Sequence, residues 1–196
     1  MDRWLTALLC LAMPVLVTSW ATTAPAQDQR TASLLELFTS QGCSSCPTAD
    51  ALLRSYAERP GIVALSLPVD YWDYLGWKDT LASPKFTNRQ RAYADERGDG
   101  RVYTPQVVVN GLVHVVGSRK DEIDRALAET EKRLAPDRVE LAAHSDGKTI
   151  TIEAGAAQPA SRIKGGTIWL AVVQPRVEVE IRRGENRGKK VTYANV

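Results

Sequence analysis

Two cysteines three positions apart, Cys43 and Cys46, stand where an extended apolar run gives way to a helical one. The run Ser33-Leu34-Leu35-Glu36-Leu37-Phe38-Thr39 reads as a largely buried strand, and Gln41-Gly42-Cys43-Ser44-Ser45-Cys46-Pro47 follows it. Ala49, Leu52, Leu53 and Tyr56 then recur at helical spacing until Pro60-Gly61 stops the helix. Ile62-Val63-Ala64-Leu65-Ser66-Leu67 is a second apolar strand. Strand, helix, strand favours parallel pairing through a right-handed crossover, and so an α/β fold.

Beyond it, Asp70-Tyr71-Trp72-Asp73-Tyr74-Leu75-Gly76-Trp77-Lys78-Asp79 is an aromatic and acidic loop. Ser83-Pro84 is a helix start, with Phe86, Gln90, Tyr93 and Arg97 on one face. Val107-Val108-Val109, the hairpin signal Asn110-Gly111 and Leu112-Val113-His114-Val115-Val116 predict two antiparallel strands. Ser118 and Asp121 have the spacing of a capping box, opening a helix with Ile123, Ala126, Leu127 and Leu134 inward. After Pro136 the apolar residues alternate: Val139 and Leu141, Ile150 and Ile152, Ile168 and Leu170, then Val177, Val179 and Ile181. With Asp146-Gly147 as a turn, this stretch reads as short antiparallel strands, a small β-module or an extension of the first sheet. The basic residues Arg182, Arg183, Arg187, Lys189 and Lys190 are diluted by Glu178, Glu180 and Glu185 and read as a solvated β-surface.

The N-terminus carries a targeting pattern. An apolar run from Leu5 to Val17, shorter than the ~20 residues that span a bilayer, leads to Ala24-Pro25-Ala26, a small-x-small cleavage site. Residues 1–26 are therefore expected to be a signal peptide, and the protein to be exported, periplasmic or secreted, with no stable membrane anchor. Of three cysteines, Cys10 leaves with the signal, and Cys43 and Cys46 remain to pair in oxidising surroundings. A formal charge of +2 on 196 residues gives no reason to expect nucleic acid as a partner.

A helix N-terminus supplies free N–H groups and about half a positive charge, which favours a thiolate. Cys43, exposed at the strand's end, is the expected nucleophile. Cys46, in the first turn, is the expected resolver of a mixed disulfide. Ser44 and Ser45 can donate hydrogen bonds to the Cys43 thiolate. Asp70 follows the second strand at the same sheet edge, where ligands bind in open α/β sheets. Asp70 or Asp73 can accept a proton from Cys46, and Trp72 and Trp77 can line a groove; alternatively they pack and solvate their own loop. Glu36 is either a buried acid beneath the disulfide or outward-facing. Two other readings stay open. The pair can be an inert local staple in a non-enzymatic binding protein, or the two thiolates can handle copper or zinc. His114 and His144 read as ordinary surface or core residues, so no resident metal is assigned.

The order of elements is that of the thioredoxin-like fold. More closely, residues 36–117 resemble a family of exported bacterial thioredoxin-like proteins, the domain of unknown function numbered 1223. The resemblance rests on residues 36–47, on Val69 through Asp79, on Tyr103-Thr104-Pro105-Gln106 and on Gly184-Glu185-Asn186. It implies a thioredoxin-like domain over residues 32–135, a central mixed sheet flanked by helices, with a β-rich module over residues 136–196. It implies that Pro105 is cis and faces the cysteines, where Thr104 and Pro105 hold a substrate backbone by strand-like pairing. It also implies a C-terminal part that continues, so the module is expected to be truncated at Val196. The expected activity is thiol–disulfide exchange without an organic cofactor. Protein or small thiols are the substrates, and an unidentified redox partner recycles the pair.

Overall fold

The computed structural model describes residues 33–159, 161 and 164–196; the expected signal peptide and Cys10 lie outside them. The described residues form one compact unit. Its centre is a mixed sheet of β1 (Ser33–Thr39), β2 (Ile62–Pro68), β3 (Gln106–Val109) and β4 (Val113–Val116), in the order β2-β1-β3-β4. β1 and β2 pair in parallel, as the intervening helix requires, while β1–β3 and β3–β4 are antiparallel. The three residues Asn110, Gly111 and Leu112 join β3 to β4, with Asn110 and Gly111 at φ of 50° and 70° as the left-handed pair of a tight turn closed by Leu112 N–H to the Val109 carbonyl.

Period-2 alternation decides which side chains meet which helix. Leu35, Leu37, Val107 and Val109 point to one face and pack with Ala49, Leu53 and Tyr56 of α1 (Cys46–Ala57) and Ile123, Ala126 and Leu127 of α3 (Lys120–Leu134). Phe38, Leu67, Val69 and Val108 meet Phe86 and Tyr93 of α2 (Pro84–Arg97) on the other face. Ser83 caps α2, its hydroxyl accepting from the Lys85 N–H.

Four antiparallel strands follow: β5 (Leu141–Ser145) with β6 (Ile150–Ala154), and β7 (Arg176–Glu180) with β8 (Lys190–Ala194). β8 packs on α1, and Asn195 just beyond it reaches the free edge of β2: its carbonyl accepts from Ser66 N and its amide donates to Ala64 O. A third apolar cluster, Ile181, Val191 and Tyr193, takes Trp77 and Leu81 of the aromatic loop against it.

Three local expectations are corrected. The capping box at Ser118 does not form, because α3 starts two residues later with Arg119 at its N-cap and no side-chain cap. Ile168 to Leu170 is not a strand. The alternating apolar residues Leu141, Ile150 and Ile152 stay exposed, since the two-stranded β5–β6 sheet has no second layer among the described residues.

Candidate functional site

Cys43 and Cys46 form a disulfide, with their Cα atoms 5.4 Å apart. Cys46 begins α1 and is fully buried, with Pro47 beside it where a missing N–H costs nothing. Ser45 precedes the helix, but its hydroxyl does not cap it. It turns instead to Cys43 Sγ at 3.4 Å, one of the two serine contacts expected from sequence. Cys43 departs from expectation: only 4% of its surface is exposed.

The sequence-predicted residues divide into those that gather at the cysteines and those that do not. Trp72 gathers. Its backbone and Cβ crowd Gly42, where any added Cβ would come within 3.1 Å, and its indole Nε1 donates to Thr104 Oγ1 at 2.7 Å. Thr104 leads into Pro105, and the peptide between them is cis. Pro105 is buried beside Gly117, whose tight surroundings also include Leu37 and Ala49, one turn along α1 from Cys46. One residue, Trp72, thus ties the segment before Cys43 to the Thr104–Pro105 loop.

Trp77 reaches the same segment from another side, donating from Nε1 to Gln41 Oε1 at 2.8 Å. It also floors an open groove of about 750 Å³ along β7, with Leu81, Val177, Val179, Arg182 and Arg183. Asp70 and Asp73 are engaged within their own neighbourhood. Asp70 Oδ1 accepts from Thr87 on α2 at 2.6 Å, and Asp73 Oδ1 accepts from the Asp79 N–H at 3.0 Å. Glu36 is buried on the α2 face, not beneath the disulfide, and is bound there by Arg89 Nε at 2.6 Å and by the Tyr93 hydroxyl. Alternation along β1 sends it to that face.

Three groups around the cysteines were given no role by the sequence reading, although Asp79 and Asn186 stand in the motifs that carry the resemblance. Asp50 lies four residues after Cys46, hence on the same face of α1, a turn away. It is buried, its Oδ1 accepts from the Thr39 hydroxyl at 2.7 Å, and its Oδ2 has no partner among the described residues. Burial pushes its carboxyl up to about 8, against the Thr39 bond that pulls it down. Asp79 is also buried and is likewise raised by desolvation. Its carboxylate gathers the backbone N–H groups of Gln41 and Leu81 at 2.7 and 2.8 Å. Asn186, fully buried, donates from one amide nitrogen to the carbonyls of Gln41 and Cys43 at 2.9 and 2.7 Å. A buried acid within a helical pattern leaves a signal, the interruption of the apolar stripe at position 50. An asparagine 143 residues from its partner leaves none in the local pattern.

Upstream of Thr104, the Tyr103 hydroxyl lies 2.8 Å from His114 Nδ1, and His114 Nε2 lies 3.2 Å from Asp99. Asp99 alone would raise the imidazole, yet burial and the Arg97 guanidinium lower it. Asp99 is already held by two bonds from Arg97, so burial and the cation prevail. Among the described residues no group of three or more His, Cys, Asp or Glu side chains converges to hold a metal ion.

The fold and site together define a mixed α/β protein carrying a disulfide-forming Cys-x-x-Cys at the head of the helix that follows its central parallel strand. The chain belongs to the family described as protein of unknown function (DUF1223), whose model matches residues 34–196. It is similar to a protein from Agrobacterium tumefaciens of known crystal structure, at 36% identity and a TM-score of 0.67. The match covers 83% of this chain and 68% of that one. No curated protein matches it.

Proposed function

We propose that this is an exported, thioredoxin-like thiol–disulfide oxidoreductase in which Cys43 is the nucleophile and Cys46 the resolver. The observation that carries the reading is the position of the disulfide. It closes the turn that leads into α1, with Cys46 as the first helical residue and Cys43 just before the N-terminus, where the helix dipole favours a thiolate, beside the Trp72–Thr104–Pro105 contact. As a staple it closes a loop too short to contribute much stability, so stabilisation alone is a weak reason for it to exist.

In the reducing direction, the Cys43 thiolate attacks a substrate disulfide, forming a mixed disulfide and releasing one substrate thiolate. The Cys46 thiol then gives its proton to Asp50 and attacks Cys43 Sγ. The Cys43–Cys46 bond forms and the second substrate thiolate leaves. A redox partner returns two electrons to the sulfurs, and the proton held by Asp50 goes back to Cys46, restoring the Cys43 thiolate and Cys46 thiol. The oxidising direction runs the same steps backwards. Asp50 suits the proton step because a carboxyl with a pKa of about 8 can both take and return a proton near neutrality. The substrates are protein or small thiols, and the Trp77 groove along β7 is the surface that an extended chain would follow. The N-terminal pattern of residues 1–26 and the absence of any helix long and apolar enough to cross a membrane among the described residues are compatible with a periplasmic or secreted location.

The burial of Cys43 favours a second reading, a binding protein whose disulfide is structural. Equilibrating the mature chain against glutathione or dithiothreitol separates the two. A potential between about −270 and −120 mV supports the oxidoreductase; one below about −300 mV supports the structural disulfide.

A further inference from the structure

Gly42 is the close-packed joint of the cysteine loop. Trp72 lies against it, its N–H donates to Ser40 Oγ at 3.1 Å, and it sits between Gln41, whose N–H is held by Asp79, and Cys43. Cys46 needs no further restraint, because it is fully buried at the head of α1. The distance between the two sulfurs therefore depends on the backbone on either side of Gly42. Asn186 acts at that place. Its single amide nitrogen donates to the carbonyl before Gly42 and to the carbonyl after it, at 2.9 and 2.7 Å. Its own orientation is fixed from behind by Lys189 Nζ, 2.8 Å from Oδ1. The turn that presents it is seated by Gly184, whose φ of +73° favours glycine and which lies close against Trp77 and the Leu75 carbonyl.

From this we infer that Asn186 is a positioning residue for the cysteine couple. By pinning both sides of the Gly42 joint, the turn between β7 and β8 holds Cys43 within bonding reach of Cys46 and so sets the disulfide's equilibrium. This deepens the exchange reading and rests on it for its purpose, since a turn more than 140 residues away in sequence then tunes the potential at which the site works. The equilibrium at issue is balanced by two equivalents of glutathione. Reduction breaks the Cys43–Cys46 bond, delivers two protons and two electrons to the sulfurs, and releases one glutathione disulfide. Loss of the clamp frees the reduced loop and lowers the effective concentration of one thiol at the other, so the dithiol is favoured and the potential rises.

The test is a glutathione redox titration of the full mature chain as wild type, Asn186→Ala and Lys189→Met, with thermal unfolding of the oxidised and reduced forms alongside. Asn186→Ala is expected to shift the equilibrium about tenfold toward the dithiol, which is about +30 mV. Lys189→Met, an exposed change that keeps the amide but loosens it, is expected to shift it about two- to threefold in the same direction. A merely structural asparagine lowers the melting temperature and leaves the potential where it was; that result overturns the proposal. Should Asn186→Ala not fold, an unshifted Lys189→Met overturns it equally. A wild-type potential below about −300 mV would remove the oxidoreductase reading, while a tenfold shift in the variant would still establish the positioning role.

Discussion

At the residue scale, Asp50 is the group whose chemistry and stability cost can be separated by pH. A carboxyl whose folded value is raised binds its proton more tightly in the folded state, so it favours folding below the unfolded value of 3.8. That advantage is lost as pH rises through the folded value of about 8. The wild-type chain is therefore expected to lose stability between about pH 4 and pH 8 through this residue. Asp50→Asn keeps an oxygen for the Thr39 hydroxyl and removes the charge. The variant should gain up to about 5 kcal/mol at pH 8.5, from a shift of about four pKa units, and only about 1–2 kcal/mol at pH 5. Its disulfide exchange should slow by tenfold or more and lose the rise toward pH 8, because Cys46 has lost its proton acceptor. Equal Tm gains at both pH values would show that Asp50 is not buried with a raised pKa. The cysteines were legible because their spacing is itself the chemistry. Asp50 was not, because an aspartate in a helix is ordinarily solvated, and only the packing of β8 over α1 makes this one an interior acid.

At the element scale, the aromatic loop matters as a brace between two other segments. Trp72 touches Gly42 on one side and bonds Thr104 on the other, and stacks on Tyr74 at 6.4 Å. Trp72→Phe keeps an aromatic ring and deletes the indole N–H alone. It should cost about 1 kcal/mol, the usual net value of one hydrogen bond, read as a 2–4 °C fall in Tm. The sharper expectation is kinetic. With Thr104 released, KM for a disulfide substrate should rise several-fold while the reduction potential stays constant, if Thr104 holds the substrate as proposed and does not set the distance between the sulfurs. A shifted potential with unchanged KM would place Trp72 with Asn186 instead. Elements built on strong local chemistry were read correctly from sequence: β1 from its apolar run, α2 from Ser83-Pro84, the β3–β4 hairpin from Asn110-Gly111. Those resting on pattern alone were not. The capping residues of α3 and the alternation at Ile168 and Leu170 have the right letters, but tertiary packing there does not use them.

At the scale of the whole molecule, the β7–β8 hairpin is continuous with the core in three ways. Tyr193 and Val191 bury apolar surface with Ile181 against Trp77 and Leu81, Asn195 extends the ladder onto β2, and Asn186 enters the cysteine loop. These links join residues more than 100 positions apart, which is why no local pattern announced them. They also imply that hairpin and core unfold together. Tyr193→Ala removes a side chain only 1% exposed, and by analogy with other aromatic truncations it should cost about 3–5 kcal/mol. If hairpin and core are one cooperative unit, the whole of that cost appears in a single denaturant transition, followed alike by far-ultraviolet circular dichroism and tryptophan fluorescence. The reduction potential should also rise in this variant, because the turn carrying Asn186 loses its seat. Two separated transitions, with the mutation moving only one, would instead make the hairpin an independent module and break the coupling between the C-terminal strands and the disulfide.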